Sequence, residues 1–532
     1  MKKKLLLLPL TALCTCTFAI GLSACGIFGG NDSGNSDNTK HTHDWSATYT
    51  QDGNNHYQTC SGCDEKKYGS HNYTNLVCDE CGYELEVVVG TEGLAYTLNG
   101  DGKSYSVTGI GTAADNEIKI SSAYEGLPVT SIGMEAFYDC ESLTGVTIPD
   151  SITSIGEAAF RGCFLLESVI IPDSVTHLGG YAFHGCISLT SVTLGSGITE
   201  IGHNTFYHCG SLESVTIPDG VTKIGNSAFY DCDSLTSITI PNSVTDIDES
   251  VFRSCSSLTS ITIPNGVTKI NRHTFQDCTA LKSITIPDSV TSIDTSVFEG
   301  CYSLASIAIP NRVTSIGWRA FYGCSSLKSI SVPDSVTSIG TYAFNDCFAL
   351  TSLTIGSGVT EIGEETFVGC SALTSITVKD DNANFKSIDG NLYGKDGKTL
   401  IQYATGKTET AFTVPNGVTS IGNHAFAYCA LENITLPENV DFIGEAAFAR
   451  CTSLTSFTIP DKVTEIGKWA FDGCTSLESI IIPSGVSKMG DYVFQGCSSL
   501  TIYCEAQEQP SEWNTDWNYS DCTVIWGYTG EN

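Results

Sequence analysis

Four cysteines near the start of the chain form two pairs, Cys60-x-x-Cys63 and Cys78-x-x-Cys81, with fourteen residues between the pairs. A CxxC turn can bring two thiolates to one ion, and two such turns complete a tetrahedral zinc site. With all four positions filled by cysteine no coordination site stays open, so the chemistry is structural rather than catalytic. The same thiols could instead close disulfides in an oxidising compartment. The stretch around them, "HDWSATYTQDGNNHYQTCSGCDEKKYGSHNYTNLVCDECGYEL", has too little to bury to fold without a staple. His43, His56 and His71 are further potential ligands that the spacing does not fix.

A second set of cysteines follows a different logic. From Cys140 to Cys370 they recur every 23 residues; the register then jumps by 59 to Cys429 and resumes at Cys451, Cys474 and Cys497. Fifteen phenylalanines keep step three residues ahead, from Phe137 to Phe494. In a stack, neighbouring thiols would lie within bridging distance. Their number is odd and their neighbours are apolar, so they read as buried, reduced thiols. The sequence holds no GxSxG, HExxH or phosphate-binding glycine loop, and its serines recur as strand residues. His184, His203, His208 and His273 fall at variable positions that read as exposed. No catalytic residue is assigned.

The elements that position these residues come from one phrase, as in "SLTSITIPNGVTKINRHTFQDC" at 257–278. Leu258, Ile261, Ile263, Val267, Ile270, Phe275 and Cys278 recur too irregularly for a helix but suit one turn of a coil. The L-x-x-I-x-I part predicts a short strand, which Pro264 ends because proline has no amide hydrogen. A glycine after the second isoleucine, such as Gly317, would supply the freedom for another corner, and the F-x-x-C part closes the turn as a short helical or irregular arc. One turn cannot bury both faces of its apolar layer, so the phrase must stack. The expected architecture is an α/β, β-rich solenoid of about 15 turns, on the order of 70 Å long at about 4.8 Å per strand spacing.

Around that array the chain divides as 1–24, signal; 25–42, linker; 43–84, cysteine module; 85–130, N-terminal cap hairpin about the NGDG turn; 131–378 and 412–500, repeats; and 501–532, C-terminal cap. The first segment has three lysines, an apolar run and small residues before Cys25, as an export signal requires. It resembles a bacterial lipoprotein signal, which implies a mature chain beginning at a lipid-bearing Cys25, outside the cytoplasm and anchored in the membrane; an uncleaved anchor or an ordinary secretory peptide are the alternatives. The glycine- and serine-rich linker is a flexible spacer, and the module after it is similar to a zinc ribbon. Residues 379–411 break the period, and Leu392-Tyr393 and Leu400-Ile401 flanking GKDGK predict a projecting hairpin. The last segment supplies three tryptophans, with Cys504 and Cys522 as possible disulfide partners.

With 26 basic against 59 acidic residues the net charge is −33, which sets the chain against nucleic acid as a partner. Outward strand positions are nearly constant, as at Ser237, Thr239, Ser260 and Thr262, and make a hydroxyl carpet. Variation gathers near the arc, where Tyr302, Trp318, Arg319, Tyr322, Tyr342 and Phe348 form a candidate binding patch of the residue types that anchor interfaces. The recurring LxxIxIPxxVxxIGxxAFxxC resembles the BspA-like leucine-rich repeat family of bacterial surface proteins over roughly residues 90–530. That resemblance implies a right-handed leucine-rich-repeat solenoid at the cell surface, attaching to an extracellular protein on a host or neighbouring cell. The hydroxyl carpet supports the alternative of a glycan ligand or an envelope-structural role.

Overall fold

The computed structural model describes residues 87–530 continuously and, before them, the strands Thr50–Gln51, Asn55–Thr59, Lys66–Ser70, Tyr73–Thr74 and Val77–Cys78. Cys25, Cys60, Cys63 and Cys81 lie outside the described residues, and of Cys78 only the backbone is described. The chain forms two units, Met1–Leu85 and Glu86–Asn532. In the first, Asn55–Thr59 lies antiparallel between Thr50–Gln51 and Lys66–Ser70, and Tyr73–Thr74 pairs with Val77–Cys78.

The second unit is a β-solenoid of about 18 turns. Each regular turn gives a three-residue strand, such as Ser237–Thr239, and a two-residue strand, such as Asp246–Ile247. Both pair in parallel with their equivalents one turn away, so that Ser191 faces Ser214 and Ser214 faces Ser237. In the longer strand isoleucine points inward while Ser237 and Thr239 point out, as alternation demands. There are more turns than the cysteines count because the end turns lack F-x-x-C: Glu117–Lys119 opens the column and Thr523–Trp526 closes it.

The α component of the expected class is missing: the described residues contain no helix, and the third side of each turn is an irregular arc. Its backbone explains why. The residue two before the phenylalanine has φ between 49° and 60° in all fifteen turns, and none of the fifteen is glycine. This left-handed step splits the hydrogen bonds. Ala158, Phe160 and Gly162 donate forward to Gly180, Ala182 and His184 of the next turn at 2.8–2.9 Å, while Cys163 donates back to Phe160 at 3.2 Å. A helix would send every amide back into its own turn and leave none to join the stack.

Gly317 does not serve as a φ-positive corner. The positive φ falls two residues later, at Arg319, and a Cβ on Gly317 would lie 2.5 Å from the backbone of Asp294 in the preceding turn. Close approach is what the position needs. Where asparagine replaces glycine, at Asn271, the side-chain amide donates to Ile247 O at 2.7 Å; the two-residue column is interrupted there, between Asp246–Ile247 and Lys269–Ile270.

Inside, the phenylalanines stack from Phe137 to Phe367 with centroids 5.1–6.1 Å apart and planes within 19°. The cysteines beside them are free thiols. Thirteen donate Sγ–H to the phenylalanine carbonyl of the preceding turn at 3.1–3.3 Å. The position thus calls for a small, apolar side chain that can still donate weakly. Cys504 and Cys522 do not bridge: Cys504 stands opposite Trp526, and Cys522 donates to Cys497 O at 3.2 Å.

Residues 379–411 do not project. Phe385–Ile388, Asn391–Gly394 and Thr399–Gln402 form an antiparallel meander whose last strand joins the two-residue column beside Ser420–Ile421. Leu392, Tyr393, Leu400 and Tyr403 are buried in it. The core divides here into one cluster ending at Leu392 and Ala404 and another beginning at Tyr393. At the far end Trp513 and Trp517 are buried, Trp517 meeting Phe494 edge-on at 6.1 Å and Trp513 Nε1 donating to Val486 O at 3.0 Å.

Candidate binding surface

The left-handed residues mark one column of the arc. In successive turns they are Ser296, which is buried, and Arg319, Tyr342 and Glu365, which are half-buried. The Arg319 guanidinium lies 4.4 Å from the Trp318 ring centre, 4.8 Å from Tyr322 and 5.4 Å from Tyr342, with Glu299 at 3.6 Å. Its Nε is buried without a hydrogen-bond partner. Tyr342 donates to Glu365 Oε1 at 2.8 Å, and that bond holds the phenol above its usual pKa. Burial, then Asp346, raises the pKa of Tyr322. The structure therefore gathers three of the other five patch residues, Trp318, Tyr322 and Tyr342, around the Arg319 cation. Tyr302 and Phe348, both about half exposed, sit one residue past the cysteine on a separate column; the Tyr302 ring lies over Gly323, where a Cβ would come within 3.6 Å.

A longer column escaped the sequence reading. The residue after the phenylalanine is, in six successive turns, Tyr138, Arg161, His184, Tyr207, Tyr230 and Arg253. Arg161 lies over Tyr138 and Tyr181 at 5.6 Å, His184 stacks on Tyr207 at 4.8 Å, Tyr207 on Tyr230 at 4.6 Å, and Arg253 covers Tyr230 at 5.3 Å. His184 is thus not the exposed residue expected of it; burial, with Arg161 and His208 nearby, lowers its pKa to about 4. His273 is likewise half-buried, whereas His203 and His208 are exposed. Lining up the repeats at that one position would have shown the run. The ring faces are spent on one another, so this column stiffens the arc rather than offering platforms.

A cleft of about 290 Å³ opens where the insertion rejoins the array, lined by Glu364, Glu365, Phe385, Gln402, Asn423 and His424 among others. His424 Nε2 stands 3.7 Å from Glu365 Oε1, so the cleft continues the Arg319–Tyr342–Glu365 line. Among the described residues, no three His, Cys, Asp or Glu side chains gather to hold a metal.

Stacked parallel strands, a phenylalanine spine and a ladder of buried cysteines define a leucine-rich-repeat solenoid with a variable outer arc. The chain belongs to the family described as BspA type leucine rich repeat region, whose signature matches residues 115–233, 178–305, 291–396 and 402–511. Among solved structures it is similar to a leucine-rich repeat protein from Bacteroides ovatus, with 27% identity over 83% of this chain and 100% of that one and a TM-score of 0.55. A leucine rich cell surface protein from Faecalibacterium prausnitzii is 29% identical over 84% of this chain and 96% of that one, with a TM-score of 0.39. No functionally curated protein matches the chain.

Proposed function

We propose that this is a surface-displayed adhesion protein that binds an extracellular protein through the outer arc of its solenoid. The observation that carries the reading is the Arg319 cluster: Trp318 is 41% exposed although its ring, with those of Tyr322 and Tyr342, packs around a guanidinium whose Nε has no partner. Arginine among aromatics is the composition that anchors protein interfaces. The leucine-rich repeat family supports a binding role in general, and the export signal supports display outside the cytoplasm, with the lipid on Cys25.

Purified mature chain, tested against a panel of extracellular-matrix proteins and a glycan array, is expected to retain a protein ligand. Trp318→Ala combined with Tyr342→Ala should weaken that binding at least tenfold, by about 1.4 kcal/mol or more. Unchanged binding would remove the cluster from the interface, and capture of glycans alone would favour the hydroxyl carpet. For the first unit, Cys60, Cys63, Cys78 and Cys81 hold one structural zinc ion in this reading. Native mass spectrometry should find it in one-to-one ratio; a zinc-free chain with titratable or bridged thiols reverses the assignment.

A further inference from the structure

The corner cleft is a gap in the backbone ladder. In fourteen turns the amide of the left-handed residue donates to the next turn, as Tyr342 does to Glu364 O at 3.0 Å and His424 to Glu445 O at 2.8 Å. Glu365 is the exception: among the described residues nothing accepts from its amide or from that of Phe367, and nothing donates to the carbonyl of Asn423 across the cleft. The cause is chain length. A regular turn takes five residues from the strand isoleucine to the phenylalanine, as from Ile421 to Phe426, but the inserted turn takes three, from Leu400 to Tyr403. Leu400 pairs with Ile421 and Tyr403 stacks on Phe426 at 5.3 Å, so both anchors are in register and the two residues between them are missing. Gln402 lines the gap, 5% exposed; its Nε2 donates to Tyr403 O at 2.9 Å, and its Oε1 meets no donor among the described residues.

We propose that this cleft binds a short segment of a partner polypeptide that replaces the missing two residues. The segment's carbonyl accepts from the Glu365 amide and its N–H donates to the Asn423 carbonyl, restoring the rung from outside the chain. The carboxylates of Glu364 and Glu365 at the rim, in a chain of net charge −33, select a lysine or arginine in the segment, whose side chain reaches Gln402 Oε1. This rests on the reading of the arc as a protein-binding face and adds the chemistry of the partner.

The test uses the full mature chain and the probe acetyl-Gly-Arg-Gly-amide at low salt, followed by saturation-transfer NMR and hydrogen exchange. Binding is expected, with slowed exchange of the 362–367 amides, and at least tenfold weaker binding for acetyl-Gly-Glu-Gly-amide and for the arginine probe N-methylated on the arginine nitrogen. Inserting Gly-Asn after Ile401 restores the rung length and should abolish binding. Glu364→Gln with Glu365→Gln, which leaves the backbone alone, should weaken it tenfold, so a misfolded insertion variant would not shield the idea. Equal binding of the acidic or N-methylated probe, unchanged exchange at 362–367, or full binding by the insertion variant would overturn it. Trp318→Ala separates the two readings: the probe should bind this variant as it binds the wild type, even where a matrix protein no longer does, and loss of the probe here would place its site elsewhere.

Discussion

Single side chains in this molecule acquire their properties from the rung above and the rung below. His184 is the clearest case: between Tyr181 and Tyr207, beside Arg161 and His208, its pKa falls to about 4 from an ordinary 6.5. The unfolded chain takes up a proton between those values that the folded one refuses. Stability from this residue is therefore complete above pH 6.5 and lost as pH falls to about 4. Acid also relieves the self-repulsion of a chain carrying −33, so the useful quantity is the difference between wild type and His184→Gln. The difference in melting temperature should shrink from pH 7.5 to pH 4.5; parallel curves would show that the imidazole keeps its ordinary titration. Cys429 is an exception of another kind. The turn before it ends in Tyr403 rather than phenylalanine, the spacing to Cys451 is 22 rather than 23, and its sulfur lies 3.2 Å from that of Cys451. The contact with the Cys451 sulfur holds Cys429 below the usual thiol pKa, whereas burial raises Cys255. Iodoacetamide at pH 7 should label Cys429 at least about tenfold faster than Cys255, read by peptide mass spectrometry. Equal rates would mean that access alone governs both.

At the scale of one turn, two corner positions that look alike in the sequence have opposite requirements. Gly317 has an ordinary φ and no room for a Cβ, whereas Arg319 carries a long side chain at a φ of 52°. Gly317→Ala should therefore cost about 1–3 kcal/mol in urea denaturation, because its Cβ meets backbone that must move. Arg319→Gly should change stability by less than about 1 kcal/mol, since relief of the left-handed strain offsets the lost ring contacts, yet remove the proposed interface. A large loss for Arg319→Gly would mean that the cluster holds the arc together rather than displaying it. These distinctions mark how far the sequence carries. The 23-residue period, the inward isoleucines and the phenylalanine spine were readable because burial imposes residue type. The left-handed step was not, because Glu135, Tyr181, Ser227 and Trp469 share a φ without sharing any chemistry. Trp318, Arg319, Tyr322 and Tyr342 could be grouped because they occupy arc positions of adjacent turns, whereas Tyr302 and Phe348 belong to another column. The corner cleft was hidden: finding it means aligning Leu400–Tyr403 with Ile421–Phe426 across an insertion that erases the register.

For the solenoid as a whole, that insertion decides how cooperatively it unfolds. A repeat array melts as one body only while each interface between neighbours is strong compared with the turns it joins. From Phe137 to Phe367 the interfaces are uniform, each with a ring stack, a thiol bond and three forward amide bonds. Between Phe367 and Tyr403 the ring stack stops and the forward bonds of Glu365 and Phe367 are absent, while the apolar cores on either side form separate clusters. The weakest interface of the array is thus at the cleft, and urea should unfold the solenoid in two steps. The five tryptophans of the solenoid report this unequally, because Trp318 lies before the break and Trp469, Trp513, Trp517 and Trp526 after it. Fluorescence should therefore follow mainly the C-terminal step and circular dichroism both, so that their midpoints differ. Inserting Gly-Asn after Ile401 adds the missing bonds and should draw the midpoints together. Coincident midpoints in the wild type would show that the buried meander strands, Asn391–Gly394 and Thr399–Gln402, couple the two cores as tightly as a regular turn does, and that the gap at the corner is local.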